Sequence, residues 1–327
     1  MTSPRCRRTA CRALALACAA LIGLLATPAP ASAYLKFGLD VNGRSVTLKW
    51  GRVPVRYWVT ERGTDHVTAP EMRDALGRAF AAWQAVPSAT IAYAFAGFTD
   101  ARPGDDDGRS TLGFEDRPDL DRVLASTSFL IDDVTGELLE SDIFFNTAFP
   151  WSASPEGEAG FFDLESIAVH EIGHLSGLGH SAIGETAFAE GGRRVTAAES
   201  VMFPIAFAPG STAGRVLKAD DIAGISDLYP DETFLDRTGS LSGRVTRDGR
   251  AIFGAHVVAF NPRTGALVGG FTLNGNGQFS IGGLSPGPHV VRVEPLDDVD
   301  VESFFDGSAP VALDIRVAVH PRLVTVP

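Results

Sequence analysis

Between residues 69 and 83 the chain repeats apolar side chains at helical spacing. Met72, Ala75, Leu76, Ala79, Phe80 and Trp83 fall at i, i+3, i+4, i+7, i+8 and i+11, one stripe of an amphipathic helix. Thr68-Ala69-Pro70-Glu71 has the order of a capping box, a hydroxyl followed three residues later by a carboxylate. Runs at 53–59, 91–95, 124–131 and 138–146 are rich in β-branched and aromatic residues and predict strands. Asp132-Asp133-Val134-Thr135-Gly136 supplies a turn between the last two.

Beyond residue 239 the pattern changes. Short apolar runs at 241–246, 255–260, 267–273, 278–281, 288–293 and 311–319 are separated by turns such as Pro262-Arg263-Thr264-Gly265 and Asn274-Gly275-Asn276-Gly277. Such spacing predicts a small all-β sandwich. The division is therefore an α+β domain at 34–231, a linker at 232–239 and a β-sandwich at 240–327. His256, His289 and His320 are scattered through the second part, and no nucleophile stands beside a base there.

The first 33 residues belong to neither domain. Arg5, Arg7, Arg8 and Arg12 precede an apolar run at 13–26, and an A-x-A site ends at Ala33. This is the order of an export leader cleaved after Ala33. The run is shorter than the roughly 20 residues a spanning helix needs, so no membrane segment is expected after cleavage. All three cysteines (Cys6, Cys11, Cys18) fall inside the leader, which leaves a secreted chain without disulfides. Loss of the four arginines takes the formal charge from −12 to −16. So acidic a protein has no electrostatic affinity for nucleic acid or anionic membranes. A monomer acting on a peptide or protein substrate is expected.

The chemistry is concentrated at 170–180, which reads HEIGHLSGLGH. On a helix, positions i and i+4 share a face, so His170 and His174 can bind one Zn²⁺ with Glu171 beside them as a general base. Gly177 follows one turn later. A glycine there can take the left-handed conformation that ends a helix, returning His180 as a third ligand. Three protein ligands and one open position describe a catalytic rather than a structural zinc. Five fixed positions of this kind match by chance roughly once in 10⁵ sequences of this length.

These residues, with Ser200-Val201-Met202-Phe203-Pro204 downstream, resemble the metzincin metallopeptidases and their Met-turn. Ser181 after the third histidine and Pro204 after the methionine are similar to matrixins. The resemblance covers about 34–231, including Ser141-Asp142-Ile143-Phe144-Phe145-Asn146 and Ala219-Asp220-Asp221-Ile222. It implies a twisted mixed sheet with the zinc helix, zinc-dependent endopeptidase activity, and an extended peptide paired to an exposed edge strand around 144–148. Phe203 to Phe207 would wall a side-chain pocket. Residues 182–199 exceed the matrixin spacing and are expected as an insertion beside the cleft. The histidines for a structural zinc, and a propeptide cysteine for latency, are missing. Calcium is a candidate at Gly104-Asp105-Asp106-Asp107-Gly108, because hard cations take oxygen ligands.

The second part resembles carboxypeptidase regulatory-like (transthyretin-like) domains at Gly243-Arg244-Val245, Gly254-Ala255-His256-Val257 and Gly283-Leu284-Ser285-Pro286-Gly287. On this reading it carries no chemistry, and a chain ending near Asp231 keeps full activity on small peptides. The alternative is a non-catalytic binding or adhesion protein with a zinc fold, whose sandwich is the functional part. Glu171 stands against it, since such a protein has no use for a base.

Overall fold

Thr68 begins the first helix, α1 (Ala69–Gln84), as a capping box. Its hydroxyl accepts from the Glu71 amide, and Glu71 Oε2 accepts from the Thr68 amide at 2.8 Å. The buried face of α1 is the same six residues whose periodicity predicts it. The computed structural model describes residues 36–42, 44–189, 192–294 and 322–326. The expected leader at 1–33 and the expected strand at 311–319 lie outside these residues.

Before α1 come β1 (Gly38–Val41), β2 (Arg44–Thr47), β3 (Lys49–Trp50) and β4 (Val55–Thr60). After it come β5 (Tyr93–Thr99), β6 (Ser110–Glu115), β7 (Ala125–Ile131) and β8 (Glu137–Asn146). One sheet has the order β3-β8-β6-β4-β5, all parallel, with β7 antiparallel on β8. Parallel neighbours require long crossovers, which α1 and the loops supply.

The edge strands are therefore β5 and β7. The expectation that residues 144–148 form an edge is corrected by the register. Ile143–Phe145 of β8 pair with β6 on one side and with β7 on the other. The physical reason is burial: Ile143 and Phe145 are fully buried, as an interior strand requires, whereas β7 alternates between half-buried and exposed positions.

Two short strands, β9 (Trp151–Ser152) and β10 (Phe162–Asp163), lead into the second helix, α2 (Leu164–Leu175). Asp163 caps it by accepting from the Ser166 amide, and the Arg215 guanidinium forks onto the same carboxylate at 2.6 and 2.8 Å. Trp83 of α1 donates its indole N–H to Val169 O at 2.8 Å, locking the two helices together over one continuous core.

The expected insertion is a hairpin, β11 (Gly184–Ala189) and β12 (Gly192–Ala198). Helix α3 (Ala219–Leu228) follows, and the segment expected as a linker carries a helical turn, α4 (Phe234–Arg237). The remaining strands are β13 (Gly239–Arg244), β14 (Thr246–Arg247), β15 (Arg250–Ala251), β16 (His256–Phe260), β17 (Leu267–Phe271), β18 (Gln278–Leu284), β19 (Gly287–Glu294) and β20 (Arg322–Val326). They form a four-stranded sheet β17-β16-β19-β20 and a β13-β18 pair, with a second core of Val245, Val257, Val268, Phe279 and Ile281. Ala223 of α3 is part of that second core. The two cores thus meet across α3, and the described residues belong to a single compact unit.

Candidate metal centre

Helix α2 ends because Gly177 adopts φ +100°, open to glycine at little cost. A side chain there would also press on the Leu48 carbonyl oxygen. The Leu178 amide turns back to Gly173 O at 3.0 Å, and the Gly177 amide to His174 O at 2.7 Å. The last carbonyls of α2 find other donors: the Trp50 indole on Leu175 O and the Tyr229 hydroxyl on Ser176 O, each at 2.8 Å. The reversal brings His180 back over the helix. One ring nitrogen of each of His170, His174 and His180 lies within 4.8 Å of the others, so the three could hold a metal ion.

Their hydrogen bonds test the fit. His170 Nδ1–H donates to Val201 O at 2.7 Å, and His174 Nδ1–H to Leu178 O at 2.8 Å. Both rings are left with an Nε2 lone pair. His174 Nε2 stands 3.2 Å from His180 Nε2. Two nitrogens on one tetrahedral zinc, each at about 2.0–2.1 Å, are separated by roughly 3.3 Å. Burial, helped by the neighbouring His180, lowers the His170 pKa to about 3, and burial drives His174 well below the usual range. The imidazoles are kept neutral, the form that ligates. The donor set fits zinc.

Glu171 is buried beside them. Burial pushes its carboxyl up to about 7, against the pull of a hydrogen bond from Thr127 Oγ1, 2.6 Å from Oε2. Thr127 lies on β7, an edge strand, so the Glu171 carboxylate and that strand are tied directly. Met202 lies under α2, where Gly173 leaves room for its sulfur. Phe203 is buried and packs on Gly184 at the root of the inserted hairpin.

Three residues around the triad are given no role by the sequence reading. Thr127 is one. Asp220 and Asp221, at the start of α3, are the others, both buried. Asp221 accepts from the Ser200 hydroxyl at 2.5 Å and the Val201 amide at 3.0 Å, holding the turn that carries Met202. Asp220 accepts from the Ser181 hydroxyl at 2.6 Å, next to the third histidine. Two adjacent carboxylates opening a helix that is buried along most of its length were the available signal.

The loop proposed for calcium is folded onto β8. Gly104 N–H donates to Asp142 at 2.6 Å and Gly108 N–H to Glu140 at 2.5 Å. Among the described residues, the histidine triad is the group of three metal-ligating side chains that converges.

The Matrixin family model matches residues 49–230, more than half of the chain. The chain belongs to the matrixin family. A carboxypeptidase regulatory-like domain model matches residues 240–304. Among curated relatives, Metalloendoproteinase 1-MMP of Arabidopsis thaliana is 28% identical over 190 residues, 55% of this chain and 44% of that protein. Metalloendoproteinase 5-MMP of the same plant is 42% identical over 82 residues, 25% of this chain and 18% of the relative. Mouse Matrix metalloproteinase-19 is 31% identical over 170 residues, 50% of this chain and 26% of the relative. This matrixin chain thus spans less than half the length of each of these relatives. Membership implies zinc. No described helix is long and apolar enough to cross a membrane.

Proposed function

We propose that this matrixin is an exported, zinc-dependent endopeptidase. The observation that carries the reading is the convergence of three imidazoles beside one buried carboxylate, with one ring nitrogen of each within 4.8 Å of the others. His170, His174 and His180 would hold the zinc. The metal supplies a Lewis acid that polarises a scissile carbonyl and makes water acidic enough to be deprotonated near neutral pH.

The remaining work falls to the chain. Glu171 takes the proton of the attacking water and delivers it to the departing amine. A carboxyl titrating near 7 can do both. Thr127 holds Oε2, which leaves Oε1 for the water. Among the described residues β7 pairs with β8 alone, so its other edge offers unpaired N–H and C=O groups. An extended peptide would add there as a further strand. Cleavage of an unfolded protein that stops with a chelator and returns with zinc is the expected result. Cleavage indifferent to the chelator, or none by the zinc-loaded protein, refutes the reading.

A further inference from the structure

The segment that carries the third histidine is held from two sides. On one side the Ser181 amide donates to Met202 O at 2.9 Å. On the other, the Ser181 hydroxyl donates to Asp220 Oδ2 at 2.6 Å. The second oxygen of the same carboxylate, Oδ1, accepts from the Gly269 amide at 2.9 Å. Gly269 belongs to β17, an edge strand of the C-terminal sheet, 49 positions further along the chain. One buried side chain thus bridges the histidine segment and the second domain.

Close approach makes the bridge possible. A Cβ at Gly269 would stand 3.1 Å from Ile183 Cδ1 and 2.7 Å from His256 Nε2. Ile183 is itself buried, two residues beyond Ser181, and its amide donates to the Ser181 hydroxyl at 3.3 Å. Ala223, one turn along α3 from Asp220, is buried in the second core.

We propose that the C-terminal domain is a positioning element of the metal centre: Asp220, gripped by the Gly269 amide, fixes Ser181 and through it His180. The inference rests on the reading of the triad as a zinc site. Asp220 touches neither metal nor substrate; it acts through Ser181. Its effect is to keep a ligand that lies beyond the end of α2 at the distance that the two helical histidines set.

The test uses the full-length, zinc-loaded protein and three variants: Asp220→Ala, Asp220→Asn and Gly269→Leu. The last wedges Ile183 away from β17 and changes no residue of the first domain. Each is checked for folding, mixed with excess chelator, and followed for zinc release with a metal indicator. The kcat and KM for a small peptide are then measured. Asp220→Ala and Gly269→Leu should release zinc at least about tenfold faster, with kcat reduced and KM little changed. Asp220→Asn should return to near the wild-type rate, because its carboxamide can accept from Gly269 and donate to Ser181. Wild-type release from folded Asp220→Ala and Gly269→Leu overturns the proposal, as does Asp220→Asn failing as badly as Asp220→Ala. If Asp220→Ala does not fold, the other two variants decide. A wild-type protein that binds no zinc defeats the zinc reading instead, which keeps the two failures apart.

Discussion

At Glu171 burial and a hydrogen bond act in opposite directions, and burial is the larger, leaving a carboxyl near 7. Replacing it with Gln keeps the shape and removes the proposed base. The Glu171→Gln protein should bind zinc and turn over about 10²- to 10⁴-fold more slowly. Metal content and turnover should be measured on one preparation; near-normal turnover with zinc bound removes Glu171 from the mechanism. Thr127 makes a sharper prediction, because its hydroxyl donates to the carboxylate from an edge strand. Thr127→Val keeps the volume and loses the donor. A hydrogen bond to a charged group is worth about 1.5–3 kcal/mol, so kcat should fall roughly 10- to 100-fold with KM nearly constant. An unchanged kcat would reduce Thr127 to a packing residue.

At the level of elements, the centre depends on how α2 stops. Its final carbonyls are satisfied by Trp50 and Tyr229, residues from β3 and the end of α3. The reversal that follows depends on Gly177 at φ +100° beside Leu48 O. Gly177→Ala would pay the left-handed penalty of about 1–2 kcal/mol and a clash with that carbonyl. A loss of roughly 2–3 kcal/mol, or about 5–10 °C in Tm, is expected by calorimetry. A Tm within 1 or 2 °C of wild type would show that the turn relaxes. Local pattern announced both the glycine and the helix face of α1. It could not announce which strands are the edges, because order in a sheet depends on partners distant in sequence. β8 and β7 both read as strands; only pairing shows that β8 is interior.

For the whole molecule, Asp220 makes stability depend on pH. Burial pushes its carboxyl up to about 7, and neighbouring Asp221 adds to this, against the hydrogen bonds from Ser181 and Gly269. In the unfolded chain an aspartate titrates near 3.9. Between these values the folded protein holds a proton that the unfolded chain has lost. The stability contributed by this group is therefore full below about pH 4 and is lost as pH rises through about 7. Asp220→Asn has no such proton. The stability of wild type minus that of Asp220→Asn, from urea unfolding, should fall by roughly 2–3 kcal/mol between pH 5 and pH 8. A constant difference would mean that Asp220 stays ionised throughout. The same bridge changes the expectation for a chain ending at Asp231. Without Gly269 and the core that receives Ala223, it should lose zinc faster and cleave small peptides well below the full-length kcat/KM. Full activity in that truncation would restore the independence that the sequence pattern suggests.

What the sequence by itself determined is what short-range periodicity can encode. HEIGHLSGLGH places two imidazoles, a base and a chain reversal within one helix and its end. The stripe from Met72 to Trp83 and the capping box at Thr68 specify a helix and its buried face. The break after residue 231 separates α+β from β composition. The tertiary structure decided the contacts that join residues far apart in the chain: Thr127 with Glu171 across 44 positions, Asp220 with Gly269 across 49, and β7 at the edge of its sheet. The first two depend on a single polar atom meeting another, and the third on a ladder with β8. Such meetings leave no repeat in either segment, because their energy comes from burial that exists only once elements distant in sequence have packed together.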